Sequence, residues 1–145
     1  MKRQFCTFSL GELLFGIEVL KVQEVIRAQT MTRVPLAQRA IRGLINLRGQ
    51  IVTAIDLRES LGLPPLAEGQ EPMHVVVRTD EGAVSLLVDE IGDVLETEAA
   101  MYEDPPETLP PHARELIRGV YKLPERLLLV LDTDKALRLE PAPSR

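Results

Sequence analysis

Apolar and polar residues alternate over short stretches, and Gly- or Pro-containing turns separate them. Residues 5–10, Phe-Cys-Thr-Phe-Ser-Leu, have the period of two that marks a strand. Gly11-Glu12 makes a turn, and residues 13–18 return as a second strand. Residues 19–21 redirect the chain. Residues 22–28 form a third strand with Val22, Glu24 and Ile26 on one face and Gln23, Val25 and Arg27 on the other. The spacing from Lys21 to Glu24 also suits a helix. Residues 31–35 form a loop and residues 36–41 one helical turn. Residues 41–61, IRGLINLRGQIVTAIDLRESL, read as strand, two-residue turn at Arg48-Gly49, strand and short helix. Asp56 suits the helix N-cap with Glu59 three residues on, and Gly62 suits its end. Residues 64–72 hold three prolines and no periodicity. Strands follow at 73–79 and 83–88, the pattern continues through 92–95, and residues 103–112 form a second Pro-rich loop. A hairpin at 116–131, a helix at 133–139 and a frayed tail at 141–145 complete the chain.

The hairpin occurs twice. Residues 117–137, IRGVYKLPERLLLVLDTDKAL, align without a gap on residues 41–61. Ile41/Ile117, Arg42/Arg118, Gly43/Gly119, Leu47/Leu123, Asp56/Asp132 and Leu61/Leu137 recur. A weaker echo relates residues 16–26 to 85–95, pairing Val22 with Ile91 and Glu24 with Asp93. Two similar supersecondary units are implied. The copies differ most at the turn, Asn-Leu-Arg-Gly-Gln against Lys-Leu-Pro-Glu-Arg. Shared positions read as architecture, and the turn that differs reads as function. Short strands at regular spacing predict an all-β fold of two small barrels, about five strands each, with short helices after the repeated hairpins. The expected subdomains are 12–66 and 67–140, with a first strand at 3–10 able to pair across.

Composition narrows the function. Aromatic residues are scarce and Trp is absent, so the core is built from branched aliphatics. A net charge of −5 disfavours a nucleic-acid surface and electrostatic attachment to anionic lipid. Cys6, the one cysteine, reads as a structural thiol and leaves no disulfide or Cys-based zinc site. No apolar run reaches membrane-spanning length and residues 1–8 lack a signal-peptide pattern, so the protein is expected in the cytoplasm. His74 and His112 have no metal-ligand spacing, and no phosphate-binding or nucleophile motif occurs. Ser9, Ser60 and Ser85 lack a base nearby in sequence. Asp132-Thr133-Asp134 reads as a helix cap because Asp132 matches Asp56. Catalytic residues, metal and cofactor are all expected to be absent. Arg48 stands out as one charge at the tip of an apolar hairpin. Asn46 and Gln50 flank it, and Gly49 leaves its partner side open.

The segments LGELLFGIEVLKVQEVI, IRGLINLRGQIVTAIDLR and SLLVDEIGDVLE, in that order, strongly resemble the CheW family of bacterial chemotaxis adaptors. The resemblance covers nearly the whole chain, and INLRG followed by a strand and Asp-Leu-Arg is its most specific part. It implies two five-stranded SH3-like β-barrels with a common hydrophobic core and no catalytic activity. It implies a scaffold that couples the cytoplasmic tips of methyl-accepting chemoreceptors to the histidine kinase CheA, whose regulatory domain shares the fold. Receptor-binding positions then fall on Val22, Glu24, Asn46, Arg48 and Gly49. Gly43 and Val94 fall on further partner-binding positions. Ser85 stands where many family members carry Gly. Two alternatives are a CheW-like regulatory fragment of a CheA-type kinase, for whose catalytic domain the chain has no room, and a small-barrel ligand-binding protein.

Overall fold

A computed structural model describes residues 2–27, 30–35, 40–80, 82–109 and 111–137. The expected helical turn at 36–41 and tail at 141–145 lie almost wholly outside them. Strands β1 (Lys2–Leu10) and β2 (Leu13–Glu18) form a hairpin, and a 3-10 turn at Val19–Lys21 leads to β3 (Val22–Ile26). The first repeated unit is β4 (Ile41–Leu47), β5 (Gln50–Asp56) and α1 (Leu57–Leu61). A second plain hairpin, β6 (Met73–Thr79) and β7 (Gly82–Val88), runs into β8 (Glu90–Glu98). After a 3-10 turn at Ala99–Met101 come β9 (Tyr102–Glu103), α2 (Pro111–Glu115) and the second unit, β10 (Ile117–Lys122), β11 (Leu127–Leu131) and α3 (Thr133–Leu137).

The repeat is structural. Both copies form strand, turn, strand and helix, and both first strands carry a bulge at the same place, between Ile41 and Gly43 and between Ile117 and Gly119. Asp56 N donates to Ala40 O and Asp132 N to Leu116 O, equivalent bonds that close each hairpin. Asp56 caps α1 by accepting from the backbone of Arg58 and Glu59. Asp132 caps α3 by accepting from Lys135 N at 3.2 Å. Gly62, at φ 73°, ends α1 in the left-handed region.

Two sheets result, one ordered β8-β1-β2-β11-β10-β9 and the other β3-β6-β7-β5-β4. One has the expected five strands; the other has a sixth because the two-residue β9 joins its edge. The pairing differs from the expected division after residue 66. Strand β2 pairs in parallel with β11, and β7 in parallel with β5. Each barrel therefore takes its leading hairpin from one half of the chain and its closing hairpin from the other. The crossings occur where β2 turns through residues 19–21 into β3, and where β7 passes Asp89 into β8. The strand at 3–10 does pair across, with β8.

One core joins the barrels. Phe8, Leu10, Phe15 and Ile17 from one sheet pack with Ile55, Val75, Val77, Leu86 and Val88 from the other. Each barrel also encloses a small core of its own, Phe5, Tyr121, Leu128 and Val130 in one and Ile45, Leu47, Val52 and Val76 in the other. These clusters are mostly aliphatic, as the scarcity of aromatics requires. Helix α2 starts inside the expected loop 103–112 and fills the gap before the hairpin; Pro111 opens it, with the fixed φ and missing N–H that suit a first helical residue. Cys6 is a half-buried strand thiol, and burial pushes its pKa up.

Candidate functional site

The β4–β5 turn places both central residues at positive φ, 53° at Arg48 and 86° at Gly49. This is the backbone of a two-residue turn whose twist matches the strands. Arg48 is the one non-glycine residue at positive φ among the described residues. Asn46 Oδ1 accepts from Gly49 N at 2.9 Å and ties the turn to its own strand. Across the barrel end, Arg48 Nη1 and Nη2 donate to the two oxygens of Glu24 at 2.7 and 2.6 Å. The Arg48 side chain remains 73% exposed, whereas Glu24 is 17% exposed. The Arg48 guanidinium holds the Glu24 carboxyl below its ordinary pKa, and Glu24 raises that of Arg48. Glu24, Asn46, Arg48 and Gly49, separated by up to 25 positions, thus form one surface.

Val22 and Gly43 do not belong to that surface in the expected way. Val22 pairs with Val77 but Glu24 pairs with Val76, so a bulge at Gln23 puts Val22 and Glu24 on opposite faces of β3. Val22 packs against the joint core. The expected common face for Val22, Glu24 and Ile26 is therefore corrected to Glu24 and Ile26. Gly43 is buried, and a Cβ there would come within 2.7 Å of Thr32 O. Its role is close backbone approach, and it offers no surface to a partner. Val94 is 56% exposed but sits on β8, in the other sheet from Arg48. Glu24 and Asp93, equivalent in the repeat, also lie in different sheets.

Two exposed apolar residues were not legible as surface. Ile51 pairs with Asn46 beside the turn and is 61% exposed; Leu20, in the 3-10 turn before β3, is also exposed. The equivalent residue of the second hairpin, Leu127, is exposed too.

His74 and Ser85 come together as a buried pair, His74 Nδ1 lying 2.8 Å from Ser85 Oγ. Both are fully buried, so no substrate reaches them, and burial lowers the His74 pKa. Ser85 thus has a hydrogen-bond partner inside the core. The half-buried pair Arg58–Asp89 is also architectural. Asp89 accepts from Arg58 Nε at 2.9 Å, Arg58 Nη2 at 2.5 Å and Gly11 N at 2.7 Å, joining α1, the β1–β2 turn and the β7–β8 crossing. Arg42 pairs with the cap carboxylate of Asp56. The described residues contain no cluster of three or more potential metal ligands and no helix long and apolar enough to cross a membrane.

Paired small barrels with an exposed, charged hairpin tip and apolar neighbours define a protein-interaction module. Residues 4–140 match the family model of the CheW-like domain, and the chain belongs to that family. It is 33% identical over 138 residues to the chemotaxis protein CheW of Klebsiella aerogenes, covering 95% of this chain and 83% of that one. It is 32% identical over 130 residues to the chemotaxis protein CheW of Bacillus subtilis, covering 90% and 83%. The crystal structure of the scaffolding protein TtCheW from Thermoanaerobacter tengcongensis has the same fold of paired SH3-like barrels. Its TM-score is 0.84, at 24% identity, covering 96% of this chain and 90% of that one. The class of the protein is that of a chemotaxis adaptor.

Proposed function

We propose that the chain couples methyl-accepting chemoreceptors to the histidine kinase CheA in the cytoplasm, by binding alone, with no catalytic step and no cofactor. The β4–β5 hairpin tip is the receptor-binding surface. Arg48 and Glu24 supply its charge, Asn46 and Gly49 its shape, and Ile51 an apolar contact. Val22, on the opposite face of β3, anchors that strand in the joint core, and Val94 belongs to a separate partner surface on the other barrel.

The observation that carries this reading is the tip itself. The second copy of the hairpin is built with Pro124 where the first has Arg48, so the architecture does not need the charge. Arg48 also occupies a left-handed position for which Asn or Gly is favoured. A residue held in a sparsely used conformation, exposed and charged, points to function. Glu24 takes one N–H from each terminal nitrogen, and the remaining donors of this exposed guanidinium suit an acceptor on a partner.

The test is reconstitution with receptor cytoplasmic fragments and CheA. The protein is expected to bind each alone and to make kinase activity depend on receptor. Arg48→Glu is expected to keep CheA binding and to abolish that dependence. Full coupling by Arg48→Glu would remove the assignment of the tip, and no binding to either partner would remove the adaptor reading.

A further inference from the structure

The chain has five aromatic residues, and three of them, Phe5, Tyr102 and Tyr121, line one open cavity of about 410 Å³ in the six-stranded barrel. Arg3 and Arg118 line the same cavity. The rings form a continuous set. Phe5 and Tyr121 have centroids 5.5 Å apart at 52°, and Tyr102 meets Tyr121 edge-on at 5.1 Å and 66°. Tyr102 is fixed from behind. Its hydroxyl donates to Arg118 O at 2.9 Å, and its ring lies against Gly119, where any Cβ would overlap it. Even so, Tyr102 is 41% exposed, an unusual disposition for one of so few large rings.

The charge in the cavity is unbalanced. Arg3 Nη1 and Arg118 Nη1 both reach the same oxygen of Glu18, Oε1, at 3.2 and 3.3 Å. One carboxylate between two guanidiniums leaves one positive charge, and most of the donors of both forks stay free for another acceptor. Both side chains are about half exposed, so little desolvation opposes their turning toward a ligand. The remaining ion pair nearby, Lys122–Glu103 at 3.3 Å, is neutral in sum.

A ring stacks or packs edge-on against tyrosine, and a carboxylate takes parallel hydrogen bonds from arginine. The volume lies within the range of about 300–1,000 Å³ usual for small-molecule sites. A cation would meet two arginines, and a neutral ring would leave the positive charge unused. We infer that this cavity is a binding site for a small planar aromatic carboxylate, its ring against Tyr102 and Tyr121 and its carboxylate on Arg118 and Arg3. None of these residues belongs to the hairpin tip, so the site is independent of the receptor-binding surface.

Both tyrosines of the protein line the cavity, so their ring-proton NMR signals report on it directly. The full chain is titrated with benzoate, with benzyl alcohol as a ring without charge and cyclohexanecarboxylate as a charge without an aromatic ring. Benzoate is expected to shift both tyrosines saturably with a Kd on the order of 1 mM or tighter. Each control is expected to bind at least about tenfold more weakly, because each lacks one of the two recognised groups. Arg118→Gln is expected to reduce benzoate affinity by about tenfold or more while the ring signals of the free protein stay dispersed. Arg3→Gln, on a half-exposed side chain near the start of β1, provides the same test should Arg118→Gln fail to fold. Benzoate shifts no greater than those of benzyl alcohol, or a benzoate affinity unchanged in the folded arginine variant, would overturn the assignment.

Discussion

Asp89→Ala would remove the acceptor that holds the interleaved halves together at one point. Three hydrogen bonds go with it, two from Arg58 and one from Gly11 N. The side chains of Arg58 and Asp89 are 15% and 16% exposed, so water compensates only partly. Arg58 would keep its bond to Pro64 O at 2.6 Å. Charge-assisted bonds and a half-buried unpaired guanidinium together set the loss at about 2–3 kcal/mol. For a chain of this size that lowers the melting midpoint by about 8 °C. The pH dependence follows from the pair. The Arg58 guanidinium holds the Asp89 carboxyl below the ordinary carboxylate range. A depressed folded pKa gives stabilisation that is complete above the unfolded value of about 3.9 and lost as pH falls through the folded value. Urea unfolding followed by far-ultraviolet circular dichroism at pH 7 and then at steps below pH 4 measures both effects. The gap between wild type and variant should be full at pH 7 and narrow in acid. Equal midpoints at pH 7, or a gap that stays constant into acid, would refute the reasoning.

Gly43→Val should lower stability by roughly 1–3 kcal/mol, because the new side chain overlaps Thr32 O and the two backbone segments must move apart; a denaturant midpoint equal to wild type would count against it. Gly119→Ala should displace the Tyr102 ring and break its bond to Arg118 O, altering the near-ultraviolet tyrosine signal and lowering the melting midpoint. A fragment of residues 67–140 should not fold alone, since β6 and β7 would lose β5 and β3, and β10 and β11 would lose β2; a cooperative unfolding transition from that fragment would show that the two halves of the chain fold independently.

The repeated hairpins were legible because their determinants are local. Alternation, a turn glycine at Gly49 and cap aspartates at Asp56 and Asp132 lie within a few residues of what they control. The exchange of hairpins between barrels was not legible. Alternation tells which face of β2 is apolar, but not that β11, more than a hundred residues away, will lie beside it. A period of two also cannot reveal an extra residue, so the bulge at Gln23 separated Val22 from Glu24 unannounced. The bidentate bond between Glu24 and Arg48 joins β3 to the end of β4, strands that lie at opposite edges of the five-stranded sheet. The site residues were individually visible through the family resemblance and the unequal turns; their grouping was a product of barrel closure. Ile51 reads as core by pattern, yet it lies beyond the reach of β7, whose pairing with β5 begins at Thr53. Helix α2 carried a readable sign in Pro111, masked by the prolines before it.

The central claim is that the hairpin tip binds receptor through the identity and placement of its charges. Arg48→Glu alone removes the bond to Glu24 as well as the surface charge, so it cannot separate the two. The double exchange Glu24→Arg with Arg48→Glu restores an intramolecular pair with the charges reversed. The decisive measurement is the affinity of wild type, single variant and double exchange for receptor cytoplasmic tips, with a melting curve for each. All three are expected to fold cooperatively: Arg48 is 73% exposed, the double exchange keeps an ion pair, and the single variant melts somewhat lower because it sets a second carboxylate beside Glu24, which is 17% exposed. Both variants are expected to lose receptor affinity by at least about tenfold, since each presents the wrong charge to the partner. Recovery of wild-type affinity by the double exchange would make the pair a structural latch and contradict the assignment of Arg48 to the interface.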